Sequence, residues 1–328
     1  MTNYNVNAEG TSKTTYPASL KAGDVLNFFN TSTGYSGTIF NWTVPANGIY
    51  RIKAIGASGG GINSYNLRNT TNNGPDGGGG RGAVMSGEFS LIKGDVIKIL
   101  VGQMGSSGYA SHGGGGGTFV STLNNIPLIV AGGGGGIRDG GRDGTTILNY
   151  NVLDAVTTVN GVDGVNGDAK SGAGGTNGYG GTSQIGSHGA GGAGFYGNSS
   201  PSSDNRGMSI KTGASAFVNG GLGGRLKYDS SSQLVQGGFG GGGSGGWGGA
   251  GGGGGYSGGG GGANSDNKGY GGGGGSYNSG ANQVNSKGSI DGHGKVEIKC
   301  MTTPQDILML VQDGDVVKTY QDGIWKII

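Results

Sequence analysis

GGWGGAGGGGGYSGGGGG, residues 245–262, decides what kind of protein this is, because fourteen of its eighteen residues are glycine. Glycine loses more backbone freedom on ordering than any other residue, so such a run can be a floppy linker. The alternative is an extended left-handed helix with three residues per turn and a rise of about 3.1 Å per residue. That helix has no internal hydrogen bonds, and its amides and carbonyls point outward. Several lying side by side satisfy one another's backbone, as burial requires. Only glycine permits the close approach, for the steric reason that places it on the collagen axis.

Glycine runs lie within this stretch and on either side of it. They occupy 132–136, 172–175, 251–255, 258–262 and 271–275, with a mixed stretch at 237–249 and two earlier runs at 77–80 and 113–117. They are numerous, similar in length and mostly pure glycine, whereas flexible linkers usually mix in serine. An ordered bundle, mainly over 133–288, is the expectation. Phe239, Trp247, Tyr256, Tyr270 and Tyr277 stand at or near run ends, where they could cap its sides.

Composition narrows the class. Glycine is 86 of 328 residues, about a quarter, and there are only six prolines. Collagen needs glycine at every third position and abundant proline. A helical protein is excluded by the cost of interior glycine, about 1 kcal/mol each against alanine. Wholesale disorder conflicts with the apolar runs near the termini. These are FNWTVP (40–45), IYRIKAIGA (49–57), AVMSGEFSL (83–91), DVIKILVG (95–102), TFVST (118–122) and PLIVAG (127–132), separated by turn signals. Short strands so spaced predict an antiparallel sandwich or jelly roll. GHGKVEIKC (292–300) returns as one more strand, expected to close the first sheet after the glycine body has left it. Beyond Pro304, Asp313-Gly314 and Asp322-Gly323 break the chain into three short strands, a small β-meander too short to bury much alone. The expected division is an N-terminal segment 1–36, a sandwich with inserted bundle 37–300, and a C-terminal module 301–328.

Little in the sequence carries chemistry. Twenty-one basic and nineteen acidic residues leave a net charge of +2 with no basic block, so no nucleic-acid footprint is expected. The single cysteine, Cys300, permits no internal disulfide. The first residues lack the pattern of a signal peptide, and no run of about 18 apolar residues could span a bilayer. Synthesis in a cytoplasm without membrane insertion is expected. His112, His188 and His293 have no metal-ligand spacing, and matches to G-x-G-x-x-G are chance in so glycine-rich a chain. Asp139, Asp143, Asp163 and Asp168 leave calcium open as the one cofactor, with turn aspartates the plainer reading. No catalytic residues stand out, and an enzyme is not expected.

Ordered anchors carry a resemblance. FNWTVPANGIYRIKAIGASGG, GEFSLIKGDVIKILVGQMG, GGGGGTFV, PLIVAGGGGG, GGWGGAGGGGGYSGGGGG and GHGKVEI cover about 38 to 299. In that order they resemble the extracellular glycine-rich domain of the anaplastic lymphoma and leukocyte tyrosine kinase receptors. The resemblance implies a tumour-necrosis-factor-like, all-β sandwich interrupted by a bundle of polyglycine-II helices. It does not carry over a receptor role, since no transmembrane or kinase segment is found. A looser similarity is to polyglycine-sandwich adhesins of bacteriophage long tail fibres, in which loops joining the glycine helices bind the host. YQDGIWKII is also similar to short terminal strands of virion tail proteins.

Together these features lead to the expectation of a non-enzymatic, receptor-binding virion tail-fibre protein. Its partners would be other tail or baseplate subunits, sister chains in a homotrimer, and a bacterial cell-surface glycan or protein. Tyrosine and tryptophan among Ser, Gly and Asn make recognition surfaces at low entropic cost. Tyr65, Tyr150, Tyr196, Trp247 and Tyr270 are the binding candidates. A structural spacer without a ligand is the alternative, and a receptor-like signalling fragment a third.

Overall fold

The computed structural model describes residues 2–7, 19–61, 78–108, 111–138, 150–166, 169–184, 189–203, 206–230, 234–263, 269–302, 309–313, 316–321 and 324–327. The first strands are β1 (Asn3–Asn7), β2 (Val25–Phe29), β3 (Ile39–Thr43), β4 (Gly48–Ile55), β5 (Gly82–Leu91), β6 (Val96–Leu100), β7 (Thr118–Thr122) and β8 (Pro127–Ala131). Within the glycine-rich body lie β9 (Val165–Asn166), β10 (Ala169–Lys170), β11 (Met208–Thr212), β12 (Arg225–Tyr228) and β13 (Leu234–Gln236). The chain then returns through β14 (Tyr277–Asn278), β15 (Ala281–Ile290) and β16 (Lys295–Thr302), and ends in β17 (Met309–Asp313), β18 (Val316–Gln321) and β19 (Ile324–Ile327).

Two large sheets face each other, one ordered β1-β2-β16-β4-β5-β15 and the other β14-β8-β7-β6-β3. All their pairings are antiparallel except β1 with β2. Alternation decides which side chains turn inward. Tyr50, Ile52 and Ala54 of β4 stand opposite Cys300, Ile298 and Val296 of β16, and all six are buried. Phe40, Trp42, Ile97, Ile99 and Val120 meet them from the second sheet in one continuous core. The Trp42 and Tyr50 rings touch edge to face at 5.7 Å across it. β16 thus closes the first sheet between β2 and β4, as expected of the returning strand. β17–β19 form the expected three-stranded meander.

The glycine body grows directly out of the strands. β4 runs on into 56–61, β6 into 101–108 and β8 into 132–137, while 78–81, 112–117 and 271–276 lead into β5, β7 and β14. The lattice therefore begins well before residue 133.

Its hydrogen bonds have a period of three. The amides of His112 and Gly115 donate to the carbonyls of Ile137 and Gly134; those of Gly113 and Gly116 donate to Ser106 and Gln103; those of Gly114 and Gly117 donate to Gly243 and Gly240. Successive residues thus address three neighbours in rotation and return to the first after three steps. Run 251–255 repeats the pattern, with Gly251 and Gly254 donating to His112 and Gly115, Gly252 and Gly255 to Ala190 and Ala193, and Gly253 to Gly272. It also accepts from Gly133 and Gly136, from Gly243 and from Gly259, so six segments surround it. A Cβ on Gly253 would collide with the carbonyl of Gly133, and one on Gly115 with that of Ser58.

A serine hydroxyl also takes part in the backbone pairing. The Ser276 hydroxyl accepts the Gly132 amide at 3.0 Å and donates to the Val156 carbonyl at 2.6 Å. At the junction, Leu100, Phe119 and Val130 on the outer face of the second sheet are sealed by Phe195, Phe217 and Phe239 from the body.

Candidate functional site

Chain direction defines two ends of the lattice. Residues 117 and 132 adjoin β7 and β8 at the sandwich, so His112 and Ile137, paired with each other, mark the far end. Gly251 donates to His112 there, and the turn preceding it carries Trp247.

That turn is tight and well anchored. The Gly246 amide donates to the Gly249 carbonyl at 2.7 Å, and the buried Ser111 hydroxyl donates to the Gly246 carbonyl. Both arms enter the lattice, Gly243 donating to Gly252 at 2.8 Å and Gly251 to His112 at 2.9 Å. Trp247 nonetheless stays 49% exposed. The Arg206 guanidinium lies 4.5 Å from its ring centroid, and Tyr228 meets it edge-on at 6.1 Å. A cation over an indole face contributes about 0.5–1 kcal/mol at exposed sites. Tyr228 is placed by β12, whose Leu226 pairs with Val235 and is buried with it beneath the small sheet β11-β12-β13. The result is a stiffly mounted aromatic and cationic knob.

The other sequence candidates are scattered. Tyr270 is buried in a small cluster with Ile137 and Leu153, which makes it a packing residue. Tyr196 is 42% exposed but lies at the sandwich end, beside Phe195. Tyr150 opens a single 3-10 turn, Tyr150–Val152, and is described by its backbone only. Tyr65 lies outside the described residues. Of the residues expected to cap the bundle, Phe239 is buried in the junction cluster and Tyr256 and Tyr277 pack against it, so these three do wedge it. Nothing in the sequence singles out Arg206 and Tyr228. Their meeting with Trp247 depends on how the small sheet β11-β12-β13 and the residues before it come together, which leaves no local signal.

Chemistry of other kinds is sparse. His112 is buried, and its Nδ1 accepts the Gly108 amide at 3.0 Å. His293 Nδ1 accepts the Met104 amide at 3.2 Å, and His188 lies outside the described residues. Asp163 pairs with Lys170 at 2.6 Å and accepts the Gly174 amide at 2.9 Å. Burial works to raise its pKa, yet these hydrogen bonds prevail and hold the carboxyl below the ordinary carboxylate value. Asp139, Asp143 and Asp168 lie outside the described residues. Among the described residues no cluster of three His, Cys, Asp or Glu could hold a metal ion, and no helix is long and apolar enough to cross a membrane. No protein-family model matches the chain, and no curated protein matches it.

Proposed function

We propose that this is a non-enzymatic adhesin of a bacteriophage tail fibre, in which polyglycine-II helices hold recognition loops rigidly at the end remote from a β-sandwich. The helical assignment is supported by hydrogen bonding that returns to the same neighbour every third residue, as a helix of three residues per turn requires. The functional reading is carried by Trp247: a large ring left half in solvent on a turn whose arms are both locked into the lattice. Exposed aromatics flanked by arginine, held without conformational freedom, are the residues that dominate recognition surfaces. The ligand is a bacterial surface glycan or protein. The sandwich side, through 1–36 or 301–328, attaches to tail subunits or to sister chains in a trimer. Loops at the far end can vary without disturbing the lattice beneath.

The test is adhesion of labelled protein to a panel of bacterial strains. Adhesion to susceptible cells is expected, with Trp247→Ala weakening it at least about tenfold. Protein that assembles into particles yet adheres to no bacterium would leave only the spacer role.

A further inference from the structure

At the sandwich end of the lattice, four tyrosines form a rim. Tyr179 is 61% exposed and Tyr196 42%, while Tyr256 and Tyr277 are half-buried. Tyr256 stacks on Tyr277 with centroids 4.8 Å apart and ring planes 21° from parallel, and Tyr196 meets Tyr256 edge-on at 6.4 Å. Tyr179 lies against Gly197, where any Cβ would run into its ring.

The lattice fixes where these rings stand. The Tyr196 amide donates to the Gly178 carbonyl at 2.8 Å, the Gly258 amide to the Tyr179 carbonyl at 3.1 Å, and the Phe195 amide to the Tyr256 carbonyl at 2.8 Å. The Gly178 amide donates to the Ser257 hydroxyl at 3.0 Å, and the Ser276 amide donates to the Thr158 carbonyl at 2.8 Å. The segments bearing the rings are therefore bonded to each other, and the rim is built before any ligand arrives.

Packing accounts in part for Tyr196, whose ring meets Phe195 edge-on at 4.8 Å, but not for Tyr179. Phe195, Phe119 and Phe217 already fill the junction, with mutual ring distances of 4.8–6.1 Å. Tyr179 adds nothing to that core and presents its ring to water.

The chemistry of the rim is distinctive for what it lacks. Its segments read VTTVN (156–160), TNGY (176–179), FYGN (195–198), YSG (256–258) and SYNS (276–279), without one Asp, Glu, Lys, Arg or His. Burial raises the pKa of Tyr196 and Tyr256, and the neighbouring phenols add to it. These segments themselves supply no cation for a phosphate or carboxylate ligand. Aromatic faces beside hydroxyls and amides instead match a sugar ring, which has an apolar C–H face and a hydroxylated edge.

We infer that the Tyr179–Tyr196–Tyr256–Tyr277 rim is a binding site for a neutral saccharide, distinct from the Trp247 turn at the other end. It rests on the adhesin reading only for its biological purpose.

Titration calorimetry on the full chain tests it with hexamers of glucose, galactose and N-acetylglucosamine as neutral probes. Heparin and a polyproline peptide serve as comparisons. At least one neutral hexamer is expected to bind, at least tenfold more weakly to Tyr179→Ala and to Tyr179→Ala/Tyr196→Ala, and equally well to Ile92→Ala, an exposed position in the β5–β6 turn. Tyr179→Ala, at the most exposed position, keeps the test valid should the double variant unfold. The inference is overturned if no neutral hexamer binds, if the tyrosine variants bind as well as the parent, or if only heparin or polyproline binds. Adhesion to cells without saccharide binding would sink this inference and leave the adhesin standing. Saccharide binding without adhesion would do the reverse.

Discussion

Ile52 in the sandwich and Gly253 in the lattice are both buried, but opposite rules govern them. Around Ile52, side chains from two sheets interlock, and the backbone satisfies itself in flat ladders with a repeat of two. Around Gly253 the nearest atoms are backbone, and the Gly133 carbonyl occupies the space a Cβ would need. The sandwich is stabilised by apolar area removed from water; the lattice depends on backbone pairing and on keeping methyl groups out.

The two are also unequal in independence. A hydrogen bond adds a net of about 0.5–1.5 kcal/mol, while ordering a backbone residue costs about 1–2 kcal/mol, most for glycine. Bare lattice is therefore close to neutral by itself. It persists because β4 to β8 feed straight into it and because Phe195, Phe217 and Phe239 seal the joint.

The contrast can be broken in graded ways. The largest effect is expected from Gly253→Val, which drives two methyl groups into fixed carbonyls and should cost more than about 5 kcal/mol, enough to prevent folding. Expression and chemical denaturation check it. Next, Phe217→Ala removes a ring stacked on Phe119 at 5.2 Å and should cost about 3–5 kcal/mol, with the lattice loosening before the sandwich. Two separate unfolding transitions in a thermal melt would sharpen the comparison, because only the joint is weakened.

A third probe acts on the sandwich alone. Tyr50 is buried and donates from its hydroxyl to the Ala46 carbonyl at 2.8 Å. Burial, with the nearby Cys300 thiol, pushes its pKa up to about 12 from 10.0. The neutral phenol is the form the fold favours. Its contribution is whole below pH 10 and is lost as pH rises from there through about 12. The loss is on the order of 2–3 kcal/mol, read from denaturation curves at successive alkaline pH values. Tyr50→Phe should flatten that dependence.

The smaller effects lie at the extremes of burial. Ile52→Val removes one methyl group and should cost about 0.5–1.5 kcal/mol, far less than adding methyls at Gly253. Trp247→Ala should cost only about 0.5–1 kcal/mol, because its ring is half in solvent and loses chiefly its contact with Arg206.

Much of this contrast is legible in the sequence, though unevenly. Pure runs such as 251–255 and 271–275 announce themselves because interior positions admit nothing but glycine. The stretch 153–165, LDAVTTVNGVDGV, does not, yet Ala155, Val156, Gly161, Val162 and Gly164 all donate into the bundle. At the perimeter only inward positions must be bare, so the signal dissolves into ordinary composition. Among strands, β4 and β16 show clean alternation, whereas β15, ANQVNSKGSI, is polar and exposed almost throughout and carries no strand pattern. Of the site, Trp247 is readable as an aromatic between glycine runs, but its exposure and the burial of Tyr270 are not. Both residues stand next to glycine, and only the lattice direction separates a ring facing water from one facing Ile137 and Leu153.

Amide hydrogen exchange reports most directly on a backbone-made interior. If 251–255, 258–262 and 271–275 are paired sideways, their amides should exchange as slowly as those of β4 and β16, by many orders of magnitude below the free-peptide rate. Exchange there at the rate of an unstructured glycine peptide, while β4 and β16 stay protected, would contradict a lattice held by its own backbone.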